Sequence, residues 1–459
     1  MTIQHMGNDV SGHSGRKNLM ARLRSLSVML AMLVLAGCAT TYPMMPTPLL
    51  YTGARARPLF TSAPAEVRTP PLDLLFFTDR APAPGGNEPD PYTAERSRSM
   101  AFGSTTVLFG EGLTWDTLVR DSLVFPRKHA LDLALGPTKE LGRFPPIPYA
   151  VTMTERGLTR SAAVVDAHEA AVQGLQAEVA RRLATSPRKE VVLYVHGVAN
   201  TFRDAALTMG ELCHFLGREF VCGIFTWPAG GKRGILFGYQ VDYESSEFAA
   251  EHLRKTIRAI AGTPGLERIH LIAHSRGTDV LVTAASDLNF EAYTQESNIA
   301  RRYKIGNIVL IAPDLDIDVN AAKLFKALSD PDLPYGSAPN PRMVLGQTPE
   351  FHITIYVSPD DRALATSGWL FGSIARLGRL NEAMLTPREI EQARTFGMID
   401  LIQVEGRTDL FGHSYFTSNA KVSSDLIALL RYGLRPNDPG RPLEEVEKPF
   451  WRIRAGQGE

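Results

Sequence analysis

Short apolar runs alternate with amphipathic stretches over most of the second half of the chain. Residues 191–195, 220–227, 269–273, 307–312, 352–357 and 399–404 read as strands whose near-continuous hydrophobicity predicts burial on both faces. Between them lie stretches with helical spacing. Residues 162–184 place Val165, Val172, Leu175, Val179 and Leu183 on one face, and residues 242–261 do the same with Phe248, Leu253, Ile257 and Ile260. Residues 201–216, capped by Thr201 or Asn200, 278–288 and 422–434 complete the helical set. An early strand is expected at 72–77 and another at 105–109, whereas 110–149 has no clear periodicity. Strands alternating with helices predict an α/β fold: a mostly parallel central sheet with helices on both faces. In such sheets ligands gather beyond the carboxyl ends of the strands, so each candidate site residue should directly follow a strand.

The pattern changes at both ends. Lys17, Arg22 and Arg24 precede an apolar stretch, 26–35, too short to span a bilayer comfortably, and Leu35-Ala36-Gly37-Cys38 follows. This arrangement resembles a bacterial lipoprotein signal, with Cys38 as the lipidated first residue of the mature chain. A plain secretory signal or a short anchor is the alternative. Residue 39 is alanine, not aspartate, which by the same resemblance implies the outer membrane in a Gram-negative host. The expected organisation is a signal over 1–38, a flexible tether over 39–71, rich in Pro, Thr and Ala, a folded domain over 72–435 and a C-terminal tail over 436–459.

Composition narrows the function. The 49 basic and 49 acidic residues balance, and no basic stripe interleaves with aromatics, so neither nucleic acid nor an anionic partner is indicated. No Cys/His spacing matches a metal site, and no cofactor enters the expected chemistry. Beyond Cys38 only Cys213 and Cys222 remain; export permits a disulfide, but their positions on a helix face and in a strand favour two buried thiols. Nothing in the sequence fixes the oligomeric state.

The candidate chemistry centres on Ala273-His274-Ser275-Arg276-Gly277, between a strand and a helix. Small residues at minus two and plus two permit a sharp turn that presents a serine hydroxyl at a helix N-terminus. Serine needs a base. Of nine histidines past the signal, His214 and His252 fall inside helices, His270 and His352 enter strands from the far end, and His274 points away from its neighbour. His413 follows the last parallel strand and is the expected base. The acid that fixes its tautomer is expected at Asp361, with Asp360 and then Asp314 as alternatives. The N–H groups of Val198, in His196-Gly197-Val198, and of Arg276 are the expected oxyanion donors. The Arg276 side chain is either solvated or a recognition group for an acidic substrate. Residues 329–348 and Trp369-Leu370-Phe371 are expected to overhang the pocket.

Seven stretches together resemble a bacterial α/β-hydrolase family long filed as a domain of unknown function. They are Phe77-Thr78-Asp79-Arg80, the run Val195 to Phe202, Phe225-Thr226-Trp227-Pro228, the serine turn, Ala312-Pro313-Asp314, Asp360-Asp361-Arg362-Ala363 and Gly412-His413-Ser414-Tyr415. The resemblance covers about 74–430 and implies a serine-hydrolase triad at Ser275, Asp361 and His413; Arg276 stands where that family frequently has methionine. An esterase or lipase acting on a small-molecule ester or lipid, held to the envelope by its lipid, is the expected function. A catalytically silent envelope binding or scaffolding lipoprotein is the alternative.

Overall fold

Residues 191–195 are all buried, as a strand covered by helices on both sides requires. The computed structural model describes residues 41–85, 90–231, 235–295, 297–324, 350–365, 376–406 and 412–454. In chain order the main strands are β1 (Leu72–Pro82), β2 (Tyr92–Phe109), β3 (Asp132–Arg143), β4 (Glu190–Val195), β5 (Val221–Thr226), β6 (Arg268–His274), β7 (Ile305–Ile311), β8 (His352–Val357), β9 (Ile399–Glu405), β10 (Glu444–Glu447) and β11 (Phe450–Arg454). The principal helices are α1 (Trp115–Ser122), α2 (Ala162–Thr185), α3 (Phe202–Phe215), α4 (Ile235–Ala261), α5 (Gly277–Thr294), α6 (Ile299–Tyr303), α7 (Ile317–Leu324), α8 (Pro387–Phe396), α9 (Tyr415–Ser418) and α10 (Ala420–Tyr432).

The strands lie side by side in the order β3-β2-β1-β5-β4-β6-β7-β8-β9-β11-β10. Neighbours from β1 to β11 pair in parallel, while β2, β3 and β10 run antiparallel at the edges. Side chains alternate between the two faces. Leu193, Val195, Leu271 and Ala273 join the core under α2, α4 and α5. Tyr194 instead meets Phe416 of α9, and the Tyr356 hydroxyl donates to Asp425 of α10, on the opposite face. This is the α/β-hydrolase fold expected from the pattern. Its strand order reverses at β4: the chain moves outward from β4 to β5, then crosses back to β6. A crevice opens at such a reversal, beyond the carboxyl ends of β4 and β6.

Three expectations need correction. Residues 43–71 are not a free tether: Met44, Met45, Tyr51, Leu59 and Ala63 are buried, and Arg431 donates to the carbonyls of Pro58 and Leu59. Their apolar residues are too sparse to show a period, yet they fill a surface that α3 and α10 leave open. Residues 444–454 are not a tail but supply β10 and β11, with Phe450, Trp451 and Ile453 buried. Cys213 and Cys222 form a disulfide rather than two thiols, because the turn after α3 returns the chain to β5 with the two Cα atoms 6.2 Å apart. The structure also adds what periodicity missed. β2 and β3 pair as a long antiparallel ribbon, and α1 is capped by Thr114. Among the described residues no helix is long and apolar enough to cross a membrane.

Candidate active site

Strand β6 ends at His274 and α5 begins at Gly277, so the chain must reverse within two residues. Ser275 does this with φ +53°, a left-handed conformation that costs a non-glycine residue about 1 kcal/mol or more. Its N–H donates to the carbonyl of Ile311 at 2.9 Å. The need for small neighbours is now visible. A Cβ on Gly277 would sit 2.2 Å from the carbonyl oxygen of His196 and 2.7 Å from that of Val195. A Cβ on Gly197 would sit 2.7 Å from the Ser275 Cβ and 3.3 Å from its Oγ. The loop after β4 therefore presses directly on the serine.

His413 and Asp361 follow β9 and β8, two adjacent strands. The imidazole Nδ1 meets Asp361 Oδ2 at 2.7 Å, and the other carboxylate oxygen accepts the Leu364 N–H at 2.9 Å. Asp361 is 1% exposed, so its carboxylate is held by these bonds and shielded from water. Asp360 is exposed. Asp314 is buried but accepts from the Tyr239 hydroxyl and lies 3.6 Å from Arg376. Of the three carboxylates considered, Asp361 is the one that contacts the histidine. His274 does not point away: its Nε2 donates to the His413 carbonyl oxygen at 3.1 Å, and the two rings lie 4.7 Å apart. Burial, and then the neighbouring His413, push the His274 imidazole down to about 3, so it is neutral at ordinary pH.

The backbone N–H groups of Val198 and Arg276 have no acceptor among the described residues. They flank the serine from the β4 loop and from the start of α5. The β4 loop is itself held in a strained shape. Ala199 has φ +58°, and its N–H donates to Asp242 Oδ2 at 2.9 Å.

Beneath that loop lies a polar layer that sequence reasoning did not resolve. Arg80, 1% exposed, donates to Thr226 Oγ1 at 2.9 Å and to the carbonyls of Ala229 at 2.9 Å and Asn200 at 2.7 Å. His196 accepts the Trp227 backbone N–H at Nε2, 3.1 Å away, and its ring stacks on the indole at 5.2 Å. An acceptor Nε2 requires a proton on Nδ1, which faces the Gly197 carbonyl oxygen at 2.8 Å. Burial, then the Arg80 cation, push His196 well below its ordinary value and keep it neutral. The Thr-Asp-Arg and Thr-Trp-Pro stretches are thus the supports of the β4 loop. Their only trace in the sequence was the family resemblance, which included both stretches.

The Arg276 side chain is neither solvated nor turned to a ligand. It is 3% exposed, pairs with Asp279 at 2.9 Å, and lies over the Tyr243 ring at 4.0 Å. Its backbone, at the start of α5, is the part that faces the serine. Cys38 and the expected pocket cover, residues 329–348 with Trp369-Leu370-Phe371, lie outside the described residues.

The alpha/beta hydrolase family of unknown function DUF900 matches residues 171–431, which span β4 to α10. No curated protein matches the chain. Among solved structures, an esterase from Pyrobaculum calidifontis is 14% identical, with 54% of this chain and 78% of that one covered and a TM-score of 0.28. A lipase-esterase related protein from Clostridium acetobutylicum is 13% identical, covering 52% and 93%, with a TM-score of 0.28. A hydrolase from Oleispira antarctica is 14% identical, covering 56% and 98%, with a TM-score of 0.29.

Proposed function

Since the chain belongs to the α/β-hydrolase family DUF900, we propose that it is a serine hydrolase that cleaves carboxylic esters through an acyl-enzyme on Ser275. The observation that carries this reading is the 2.7 Å contact between His413 and the buried Asp361, at the ends of adjacent strands, with His413 against His274, the residue before the left-handed Ser275. The Nδ1–H donates to Asp361, which leaves Nε2 free of its proton and basic. Nε2 takes the Ser275 proton as Oγ attacks the ester carbonyl. The N–H groups of Val198 and Arg276 hold the developing oxyanion. The imidazolium then protonates the departing alcohol, and water repeats the sequence to release the acid and regenerate Ser275. Residues on the loops after β4, β6, β8 and β9 supply the groups, so no cofactor is required by this route.

The same proposal holds the enzyme in the cell envelope through a lipid on Cys38, supported by the basic flank, the short apolar stretch and Leu35-Ala36-Gly37-Cys38. The substrate is a small-molecule ester or lipid. A fluorophosphonate probe tests the chemistry: the protein is labelled at Ser275, and Ser275→Ala is not labelled and does not turn over p-nitrophenyl esters while keeping its circular dichroism spectrum. Undiminished turnover by the folded variant would sink the assignment. Incorporation of radiolabelled palmitate, lost in Cys38→Ser, tests the anchor separately.

A further inference from the structure

Between β3 and α2 the chain forms a two-stranded hairpin, Val151–Thr154 paired with Gly157–Arg160. Seven of these eight residues are exposed, although three of them are large and apolar. Val151, Met153 and Leu158 are 60%, 71% and 68% exposed. Met153 pairs with Leu158 and Val151 pairs with Arg160. Directly paired residues share a face, as do residues two apart in a strand. Val151, Met153, Leu158 and Arg160 therefore form one face, and Thr152, Thr154 and Thr159 the other. An isolated hairpin is at best marginally stable in water, and this one leaves its apolar face uncovered.

Basic side chains outnumber acidic ones around that face. Arg156 lies at the turn beside Glu155, and Arg160 sits on the apolar face itself. Arg98 and Arg160 also line a groove of about 800 Å³ between the hairpin base and α4, together with Lys255 and Arg258. Lys255 and Arg258 are matched by Glu251 and Glu291, but Arg98, Arg156 and Arg160 have no carboxylate partner among the described residues. Three apolar side chains on a narrow ribbon fall far short of the roughly 1,200–2,000 Å² that a stable protein interface buries. They suffice for shallow insertion into the headgroup and upper acyl layer of a bilayer, where arginines gain from anionic phosphates.

We propose that this hairpin is a second membrane contact, in which Val151, Met153 and Leu158 enter the interfacial layer of an anionic phospholipid bilayer while Arg98, Arg156 and Arg160 meet its phosphates. The contact is separate from any anchor at Cys38 and independent of the chemistry at Ser275. It holds a flank of the hydrolase domain against the surface and fixes the domain's orientation, which a single point of attachment does not do.

The test uses the full chain and a probe on the hairpin, so that attachment elsewhere does not register. Met153→Trp is mixed with vesicles of phosphatidylcholine, with or without phosphatidylglycerol, carrying brominated acyl chains. The expected result is a blue-shifted emission and bromine quenching in excess of wild type, with phosphatidylglycerol vesicles only. Arg156→Glu with Arg160→Glu in the same background should weaken the partition by roughly tenfold or more, as should added salt. Leu158→Trp repeats the measurement from the opposite strand should the first variant fold poorly. Vesicle-bound protein with no extra quenching at either position would overturn the proposal, as would equal quenching in neutral vesicles. A blue shift without lipid that grows with protein concentration would instead assign the face to a second copy of the chain and equally reject it.

Discussion

The Nε2 of His274 donates to the backbone carbonyl of His413, 3.1 Å away. The residue before the serine therefore fixes the loop that carries the base, and burial keeps its ring neutral. Three other buried or half-buried histidines are kept neutral in the same way: His196 and His214 are held well below the ordinary value, and His352 at about 4, in each case by burial first.

These histidines set a pH dependence. In the unfolded chain they take up protons below about pH 6.5. In the folded chain they resist protonation until far lower pH. Between those limits the unfolded state binds more protons, so folding stability rises with pH and falls on acidification. The stability is fully present above about pH 6.5 and is lost progressively toward pH 4, at about 1.4 kcal/mol per pH unit for each histidine well inside its window. Urea unfolding midpoints measured from pH 7.5 to 4.5 should fall steadily below 6.5. His274→Gln, which keeps a donor near Nε2, should reduce the part of the slope due to this residue. A flat profile would contradict the assignment of neutral buried rings.

Asp361 and Asp360 should separate cleanly despite being neighbours. Asp361→Asn turns an acceptor of the imidazole proton into a donor and favours the wrong tautomer; kcat for a p-nitrophenyl ester should drop by roughly a thousand- to ten-thousand-fold. Asp360 is exposed, so Asp360→Asn should change kcat by less than about twofold. Equal losses in the two variants would remove Asp361 from its role.

Gly197 and Gly277 meet different obstacles. A Cβ at Gly277 would strike the backbone carbonyl of His196, just past β4, at 2.2 Å, and backbone cannot rotate aside. Gly277→Ala should destabilise by about 3 kcal/mol or more, read as a drop in urea midpoint or as loss of soluble protein. A Cβ at Gly197 would press on the Ser275 side chain. Gly197→Ala should stay folded but lose roughly a hundredfold or more in kcat, comparable to removing one oxyanion donor. A folded, fully active Gly197→Ala would show that the β4 loop does not border the reacting centre.

Arg80 supports that loop from below. Removing its guanidinium leaves the buried Ala229 carbonyl and the half-buried Asn200 carbonyl without their donor, at a cost of about 1–3 kcal/mol each. Lysine cannot reproduce a planar fork aimed at three acceptors, so Arg80→Lys should recover little of the lost stability. Thermal unfolding temperature and ester turnover should fall together in Arg80→Lys; intact turnover in that variant would refute the dependence of the loop on this side chain.

Much of this was readable along the chain. The strands from β4 to β9 and most of the helices between them were legible because buried parallel strands need near-continuous apolar runs and their covering helices need a stripe. Ser275, His413 and the His196-Gly197 loop stood out because each follows a strand, and the rule of carboxyl ends is a rule of chain order. What the sequence left open depended on distance in space. It could not separate Asp361 from Asp360 and Asp314, since which carboxylate reaches the imidazole depends on how β8 and β9 lie side by side. It read 39–71 as linker and 436–459 as tail, because short or irregular segments carry no period of their own and gain order only from the surface they meet. It kept Cys213 and Cys222 apart, although nine residues of helix end and turn bring them together. It left the Arg276 side chain either solvated or turned to an acidic substrate, whereas packing against Asp279 and Tyr243 buries it. Local pattern determined the elements and their order; only the packed sheet decided which distant polar groups meet, because burial, not sequence spacing, selects those pairs.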